Sequence, residues 1–509
     1  MLINDIELPN IFNSIFNNID TTRKQVSKET VKKVKSDLGQ YFTEPQIALF
    51  MGGMFNNPVR HVKLLDPGAG IGMLTLAAIA HFCKIANKPI SIEATVVEID
   101  DKLLPYLIQS LEQCKQMCLT HNISFEFNII NEDFIDYGSS LIRNKSQPFN
   151  KVILNPPYKK INSNSKTRLT LKEIGIEASN LYAAFLSLSK RILITEGELV
   201  AITPRSFCNG SYFKLFRLDF VNDMSFRKIH IFDSRKDAFK DDDVLQENII
   251  FLANKTYDYR PVLISSSSTI SDPMSKTFLN YEELIHPNDP EKFIRILLDE
   301  SDINVKSLMN KMSSTLDDLN LKVSTGKVVD FRTKENLRHD ITEENKEVMP
   351  LIYPQHFSQG FIKWPIIPGV KPNGIILNNF TLKSLVPNGN YVLIRRFSSK
   401  EEKKRIVPAI LEASKFDVNY IGLENHLNYY HINGQGLPLD LAKGLAIYLS
   451  STIVDRFFRQ FNGITQVNVG DLRSLPYPSY DQLIKLGSIM KDNFPSQHEI
   501  DKNIEKLIE

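Results

Sequence analysis

Residues 63–100 constrain the fold more than any other stretch: KLLDP, then GAGIG, then MLTLAAIAHF, and from residue 91 the alternating run SIEATVVEID. In order these read as an apolar strand, a glycine-rich turn, an apolar helix and a second strand, which is the opening of a βαβ unit. The alternation continues through a helix over Asp101–Cys118, strands over Ser124–Ile130 and Lys151–Leu154, and a helix over Ala178–Ile194. Strands over Glu198–Thr203, Arg227–Phe232 and Glu247–Ala253 follow. The pattern predicts a Rossmann-like, doubly wound α/β domain with a mainly parallel sheet, spanning residues 36–270.

At 509 residues the chain is too long for a single core, so more than one domain is expected. The serine run LISSSSTISDP, residues 263–273, lacks apolar periodicity and reads as a boundary loop. Residues 271–300 are then a linker, and 301–509 a second domain of short strand-like runs and loops rich in Asn, Gly and Pro, without repeats. Residues 1–35 read as an N-terminal basic helical arm, in a region carrying Arg23, Lys24, Lys28, Lys32, Lys33 and Lys35 against Glu29 and Asp37.

Apolar residues at 42% and charged residues at 24% are ordinary globular usage. The apolar runs fall short of the roughly 20 residues a membrane helix needs. The N-terminus carries an acid where a secretory signal has Lys or Arg, and four irregularly spaced cysteines are too few for a disulfide framework. A cytoplasmic protein with reduced thiols and no membrane partner is expected. A net charge of +2 means that any nucleic-acid partner must be argued from local patches.

Strand ends of a parallel α/β sheet are where ligands bind, because helix N-termini offer unpaired N–H groups and glycine admits a ligand to the backbone. Asp66-Pro67-Gly68-Ala69-Gly70-Ile71-Gly72 lies at such a point. It reads either as a turn holding the amino-acid end of S-adenosylmethionine or as a plain strand-to-helix turn. The next strand ends in Val97-Glu98-Ile99-Asp100, which puts the Glu98 carboxylate where two ribose hydroxyls can be gripped. Nicotinamide enzymes share that geometry, but their G-x-G-x-x-G fingerprint is absent from this turn. The third strand ends at Asp133-Phe134, an acid for an adenine amine beside an aromatic for the purine, or equally a helix-capping acid beside a core Phe.

The fourth strand ends in Asn155-Pro156-Pro157-Tyr158. Two prolines cannot extend a sheet, but they make a stiff corner. An adenine amine is a poor nucleophile because its lone pair is delocalised into the ring. Two acceptors, the Asn155 side-chain oxygen and the Pro156 carbonyl, would favour the pyramidal amine and hold it in line with a sulfonium methyl. Tyr158 would stack on the base, and since the target atom lies inside a duplex the nucleotide would be flipped out between aromatic faces.

With these motifs assembled, the chain resembles the amino-group DNA methyltransferases in which the cofactor motifs precede the catalytic tetrapeptide and the target-recognition domain comes last (the gamma group). Gly39-Gln40-Tyr41-Phe42-Thr43, whose last residue stands 23 positions before Asp66, matches the segment that in this family contacts the methionine moiety. The resemblance implies cofactor contacts from Gln40, Tyr41, Thr43, Asp66, Gly68, Gly70, Glu98, Asp133 and Phe134, and catalysis by Asn155, Pro156 and Tyr158. Tyr182 and Phe185 fall in the following motif helix. It also implies a second base-stacking aromatic on a late strand, for which Phe251 is the best match, with core packing as the alternative.

The blocks IHIFDSRKDAFKDDDVLQENIIF, VSTGKVVDFR, RRFSSKEEKKRI, GLENHLNYYH and FNGITQVNVGDLR, spread over residues 229–473, narrow the resemblance to BsuBI/PstI-type adenine methyltransferases. That type implies CTGCAG as the target and a separately encoded restriction endonuclease as partner. A monomer is expected.

Double-stranded DNA would be held by two patches. Lys159, Lys160, Lys166, Arg168 and Lys172 follow the tetrapeptide without an intervening acid, and the stretch from Arg395 through Arg396 and Lys400 to Arg405 sets six cations against two acids. The alternative for the second patch is a solvated surface. Asn425, His426, Asn428, Gln466 and Asn468 are candidate base readers, with turn formation the alternative. Cys114, Cys118 and His121 have metal-like spacing but no fourth ligand nearby, so no metal is assigned. Protein-glutamine methyltransferases also use Asn-Pro-Pro-Tyr, but need no C-terminal domain of this size. Transfer to a cytosine amine more often starts from Ser or Asp, and an inactive specificity protein would not retain Asn155, Tyr158, Asp133 and Glu98.

Overall fold

The computed structural model describes residues 10–29, 42–232, 248–339, 347–399, 401–491 and 493–508. The chain divides into two compact units, residues 1–298 and 299–509.

The first unit is built on a nine-stranded sheet. Its strands are β1 (His61–Pro67), β2 (Ser91–Val97), β3 (Ser124–Ile130), β4 (Phe149–Leu154), β5 (Leu193–Pro204), β6 (Ser225–Phe232), β7 (Asn248–Asn254), β8 (Val262–Ser267) and β9 (Ser275–Leu279), in the order β3-β2-β1-β4-β5-β7-β6-β8-β9. The first five are parallel, and β7 runs antiparallel to both neighbours. The order reverses between β1 and β4, the crevice where open α/β sheets hold ligands. The described helices of eight or more residues are α1 (Asn10–Glu29), α2 (Pro45–Gly52), α3 (Met73–Lys84), α4 (Leu104–Thr120), α5 (Phe134–Arg143), α6 (Lys166–Glu173), α7 (Leu181–Ile192) and α8 (Lys214–Asp223).

α3 is apolar on every side and buried along most of its length, as a helix between sheet and outer layer must be. α2 crosses it closely at Gly52, where a Cβ would lie 2.5 Å from the Ala77 carbonyl oxygen. Lys151 and Glu198, register partners on β4 and β5, form a buried ion pair at 2.6 Å. Glu198 also accepts the backbone N–H groups of Asn56 and Asn57, so the pair is hydrogen-bonded as burial requires.

The serine run does not form a boundary loop. Val262–Ser267 is β8, paired with β6 and β9, because its hydroxyls have a buried partner: Ser265 Oγ lies 3.0 Å from His230 Nδ1 and Ser267 Oγ 3.3 Å from Nε2. Part of the segment read as a linker is β9 and a capped helical turn at Tyr281–Leu284.

The second unit holds two small sheets. One has six strands in the order Lys322–Thr325, Leu427–His431, Tyr391–Arg395, Pro408–Leu411, Phe361–Ile362, Phe357–Ser358. The other has five, Leu337–Arg338, Gly374–Ile376, Val348–Ile352, Tyr420–Leu423 and Leu385–Pro387. Helices Leu439–Leu449, Thr452–Phe461, Tyr480–Gly487 and Gln497–Ile508 follow. The first and third of these touch backbone to backbone at Gly444 and Gly487, where any side chain would collide with the opposing carbonyl.

Candidate active site

The turn after β1 takes its shape from Gly68, Gly70 and Gly72, with φ of +79°, +57° and +85°, values that L side chains rarely adopt. The N–H groups of Gly68 and Ala69 bond back to the Val97 carbonyl, which ties the turn to the end of β2. A cavity opens over it, lined by Gly68 to Ile71 and Leu74 from the turn and α3, Glu98 and Ile99 after β2, Glu132 to Phe134 after β3, and Asn155 and Pro157 after β4. A Cβ at Gly70 would meet the Phe42 ring at 3.4 Å, and one at Gly68 the Phe185 ring at 3.6 Å; Phe42 and Phe185 are also cavity walls.

Glu98 is held at both oxygens, Oε2 accepting from the Gly70 N–H at 2.7 Å and Oε1 from the Asp100 N–H at 2.8 Å. Each oxygen keeps a second lone pair for a ligand hydroxyl. Burial holds its pKa above the ordinary value, against the backbone donors that lower it. Asp133 caps α5 by accepting the Ile135 N–H at 2.8 Å and also lines the cavity; burial raises its pKa too. Phe134 lies against Phe185 with ring centroids 4.9 Å apart. Asp66 is different: it does not line the cavity but sits buried behind the turn, where Oδ2 accepts from the Thr75 hydroxyl at 2.7 Å. The sequence could not separate a ligand contact from this fastening of the strand to α3.

Asn155 stands between the cavity and Tyr158. Its Nδ2 donates to the Thr43 hydroxyl at 3.0 Å, and its Oδ1 accepts the Tyr158 hydroxyl at 3.0 Å. Thr43, from the segment preceding the glycine turn, therefore orients Asn155 as well as lining the cavity. Tyr158 stands edge-on to Tyr182 at 6.2 Å, and Tyr182 in turn stacks on Phe213 at 5.3 Å. Pro156 is buried beneath the corner.

Segment 75–239 matches the Eco57I restriction-modification methylase family. The chain is similar along nearly all its length to type II methyltransferase M.PstI of Providencia stuartii, 41% identical over 495 residues that cover 96% of this chain and 97% of that one. It is also similar to type II methyltransferase M.BsuBI of Bacillus subtilis, 42% identical over 508 residues, 97% and 98% of the two chains. The chain belongs to the BsuBI/PstI-type type II methyltransferases. Its fold is also that of the type IIL restriction-modification enzyme MmeI, solved in complex with DNA, with a TM-score of 0.51 over 98% of this chain and 74% of that one at 11% identity.

Several expected residues of this BsuBI/PstI-type chain lie elsewhere. Phe251 is fully buried on β7 among Phe207, Phe220 and Phe226, with centroids 5.3–6.1 Å away. It presents no face to a base, because β7 is an interior strand of the sheet. Gln40, Tyr41 and Lys400 lie outside the described residues. Lys159 and Lys160 are exposed, whereas Arg168 is bound to Glu177 at 2.6 Å and to the Ala178 carbonyl, so the acid missing from the sequence nearby arrives from the following loop.

In the second unit Arg395 is paired with Glu402 at 2.6 Å, and Arg396 donates to the Asn425 carbonyl at 3.2 Å. Asn428 is buried, accepting from Thr325 and donating to the Val467 carbonyl, and Asn468 caps a helix; both are structural. His426 is half-exposed, its Nδ1 2.5 Å from Glu424 Oε1, and its ring packs on Phe397 at 5.1 Å. Cys114 and Cys118 are buried on the inner face of α4. No described helix is long and apolar enough to cross a membrane.

Two signals escaped the sequence reading. Ile99, next to Glu98, lines the cavity while 50% exposed. Arg23, from the N-terminal helix, is also a wall of the cavity.

Proposed function

We propose that this type II methyltransferase methylates the exocyclic amine of adenine in duplex DNA at CTGCAG, with S-adenosylmethionine as donor, and protects that site from a separately encoded endonuclease. The observation that carries the reading is the position of Asn155 on the boundary between the glycine-turn cavity and Tyr158. The cavity's donor set suits the cofactor: positive-φ glycines where a side chain would intrude, a carboxylate with spare lone pairs after β2, and an acid beside an aromatic after β3. Bound there, S-adenosylmethionine supplies an electrophilic sulfonium methyl. Glu98 would hold the ribose hydroxyls, Asp133 the adenine amine of the cofactor, and Ile99 and Phe134 its purine faces. Asn155 Oδ1 and the Pro156 carbonyl would accept the hydrogens of the target amine and favour its pyramidal form. The Thr43 and Tyr158 hydroxyls hold the two ends of the Asn155 amide, and Tyr158 would stack on the extruded base. The adenine preference rests on the leading Asn, and CTGCAG on the resemblance to the BsuBI/PstI type.

The test is mass spectrometry of nucleosides, with methylation-aware sequencing, from plasmid incubated with the protein and S-adenosylmethionine. N6-methyladenine confined to CTGCAG is expected. Asn155→Ala should lower the product by at least about 100-fold, as for removal of a transition-state acceptor, with S-adenosylhomocysteine affinity kept. Methylcytosine as the product, or near-normal turnover of Asn155→Ala, would sink the proposal.

A further inference from the structure

α1 buries Phe16, Ile19, Arg23 and Val26. These stand at i, i+3, i+7 and i+10, so they form one stripe facing the protein, and the third member is a guanidinium. Arg23 is only 3% exposed, whereas the neighbouring Lys24 is 57% exposed. Its Nε donates to Asp20 Oδ1 at 2.7 Å, and Lys24 shares the same carboxylate at 2.7 Å. Arg23 is also the one cation among the described residues of the cofactor cavity, whose other charged walls are Glu98, Glu132 and Asp133.

We infer that Arg23 receives the carboxylate of the cofactor's amino-acid end, so that the N-terminal helix completes the cofactor site; this rests on the cofactor reading above. The ligand's purine and ribose are neutral, and its sulfonium and ammonium would be repelled by a guanidinium. Only the carboxylate is anionic, and the planar fork of Arg matches it in bidentate fashion. The position agrees. Arg23 lines the cavity together with Met73 and Leu74, the first two residues of α3. The N-terminal N–H groups of α3 therefore favour an anion at the same end of the cavity.

Isothermal titration of the full chain with S-adenosylhomocysteine and with its decarboxylated analogue, which lacks only that carboxylate, tests the inference. Arg23→Ala should weaken S-adenosylhomocysteine on the order of 10- to 100-fold, the range of a charge-assisted hydrogen bond. Its effect on the decarboxylated ligand should stay within about twofold, and Arg23→Lys should recover part of the loss. If Arg23→Ala lowers the melting temperature sharply, Arg23→Gln, which keeps a donor for Asp20 without the charge, reads the same comparison. Equal losses for both ligands, or none for either, overturn the inference alone. A wild-type chain that binds neither ligand overturns the cofactor reading and the inference with it.

Discussion

Asp66 is buried with Oδ1 lacking a hydrogen-bond partner among the described residues. Burial raises its pKa from 3.8 to about 7, against two hydrogen bonds from Thr75 and with a smaller push from the Glu98 charge. A carboxyl whose folded pKa is raised binds its proton more tightly in the folded state. Its stabilising contribution is therefore full below pH 3.8 and is lost as the pH rises through about 7. Asp66→Asn keeps an oxygen for Thr75 but cannot ionise. Its stability relative to wild type, measured by urea unfolding without cofactor, should rise between pH 5 and pH 7 with a slope approaching about 1.4 kcal/mol per pH unit. A pH-independent gap would show that Asp66 ionises normally. The same residue marks what sequence could tell at this scale. Motif order gave Glu98, Asp133 and Asn155, which line the cavity, because strand ends of a parallel sheet converge by topology. It could not give Arg23, whose approach to the cavity depends on how α1 packs.

The element Arg395–Arg405 reads in sequence as one basic patch, and the fold divides it. Arg405 is fully buried, with its guanidinium over the Phe458 ring at 5.5 Å, Nη2 on Asn462 Oδ1 at 2.9 Å and Nε on Ser398 Oγ at 3.1 Å. It binds the loop to helix Thr452–Phe461. Arg405→Ala should cost about 3–5 kcal/mol in unfolding free energy, the range for breaking a buried charged network. Arg396→Ala should change stability by less than about 0.5 kcal/mol, yet lower the slope of log binding constant against log salt for DNA by about 0.9, one phosphate contact. Arg395→Ala releases Glu402 and should weaken binding further. Equal stabilities for Arg405→Ala and Arg396→Ala would refute this division, and an unchanged salt slope for Arg396→Ala would remove it from the interface. β8 shows the converse failure. Strand propensity looks for apolar alternation, but Ser265 and Ser267 are stable in the sheet because their hydroxyls bond to a buried histidine from β6. Neither fact is visible without knowing which strands are neighbours.

At the scale of the molecule, the first unit was legible because each βαβ step buries apolar residues close in sequence. The second was not, because its strands are two to five residues long and pair across long separations, as when Leu351 meets Gly422 in parallel register. The first unit has its own core, running from α1 through α2, α3 and α4 to the sheet, and all the described walls of the cavity over the glycine turn. If target recognition resides in the second unit, the two functions should separate at the boundary between Leu298 and Asp299. A fragment of residues 1–298 should bind S-adenosylhomocysteine within a few-fold of the full chain. Its methylation of plasmid DNA should fall on the order of 10³-fold or more, the usual gap between specific and non-specific DNA binding, and the residual product should show no preference for CTGCAG. Titration calorimetry and methylation-aware sequencing on the same preparation, with circular dichroism to verify folding, give both readouts. A folded fragment that still methylates CTGCAG selectively would place recognition in the first unit, among Lys159, Lys160 and the loop that follows the Asn-Pro-Pro-Tyr corner.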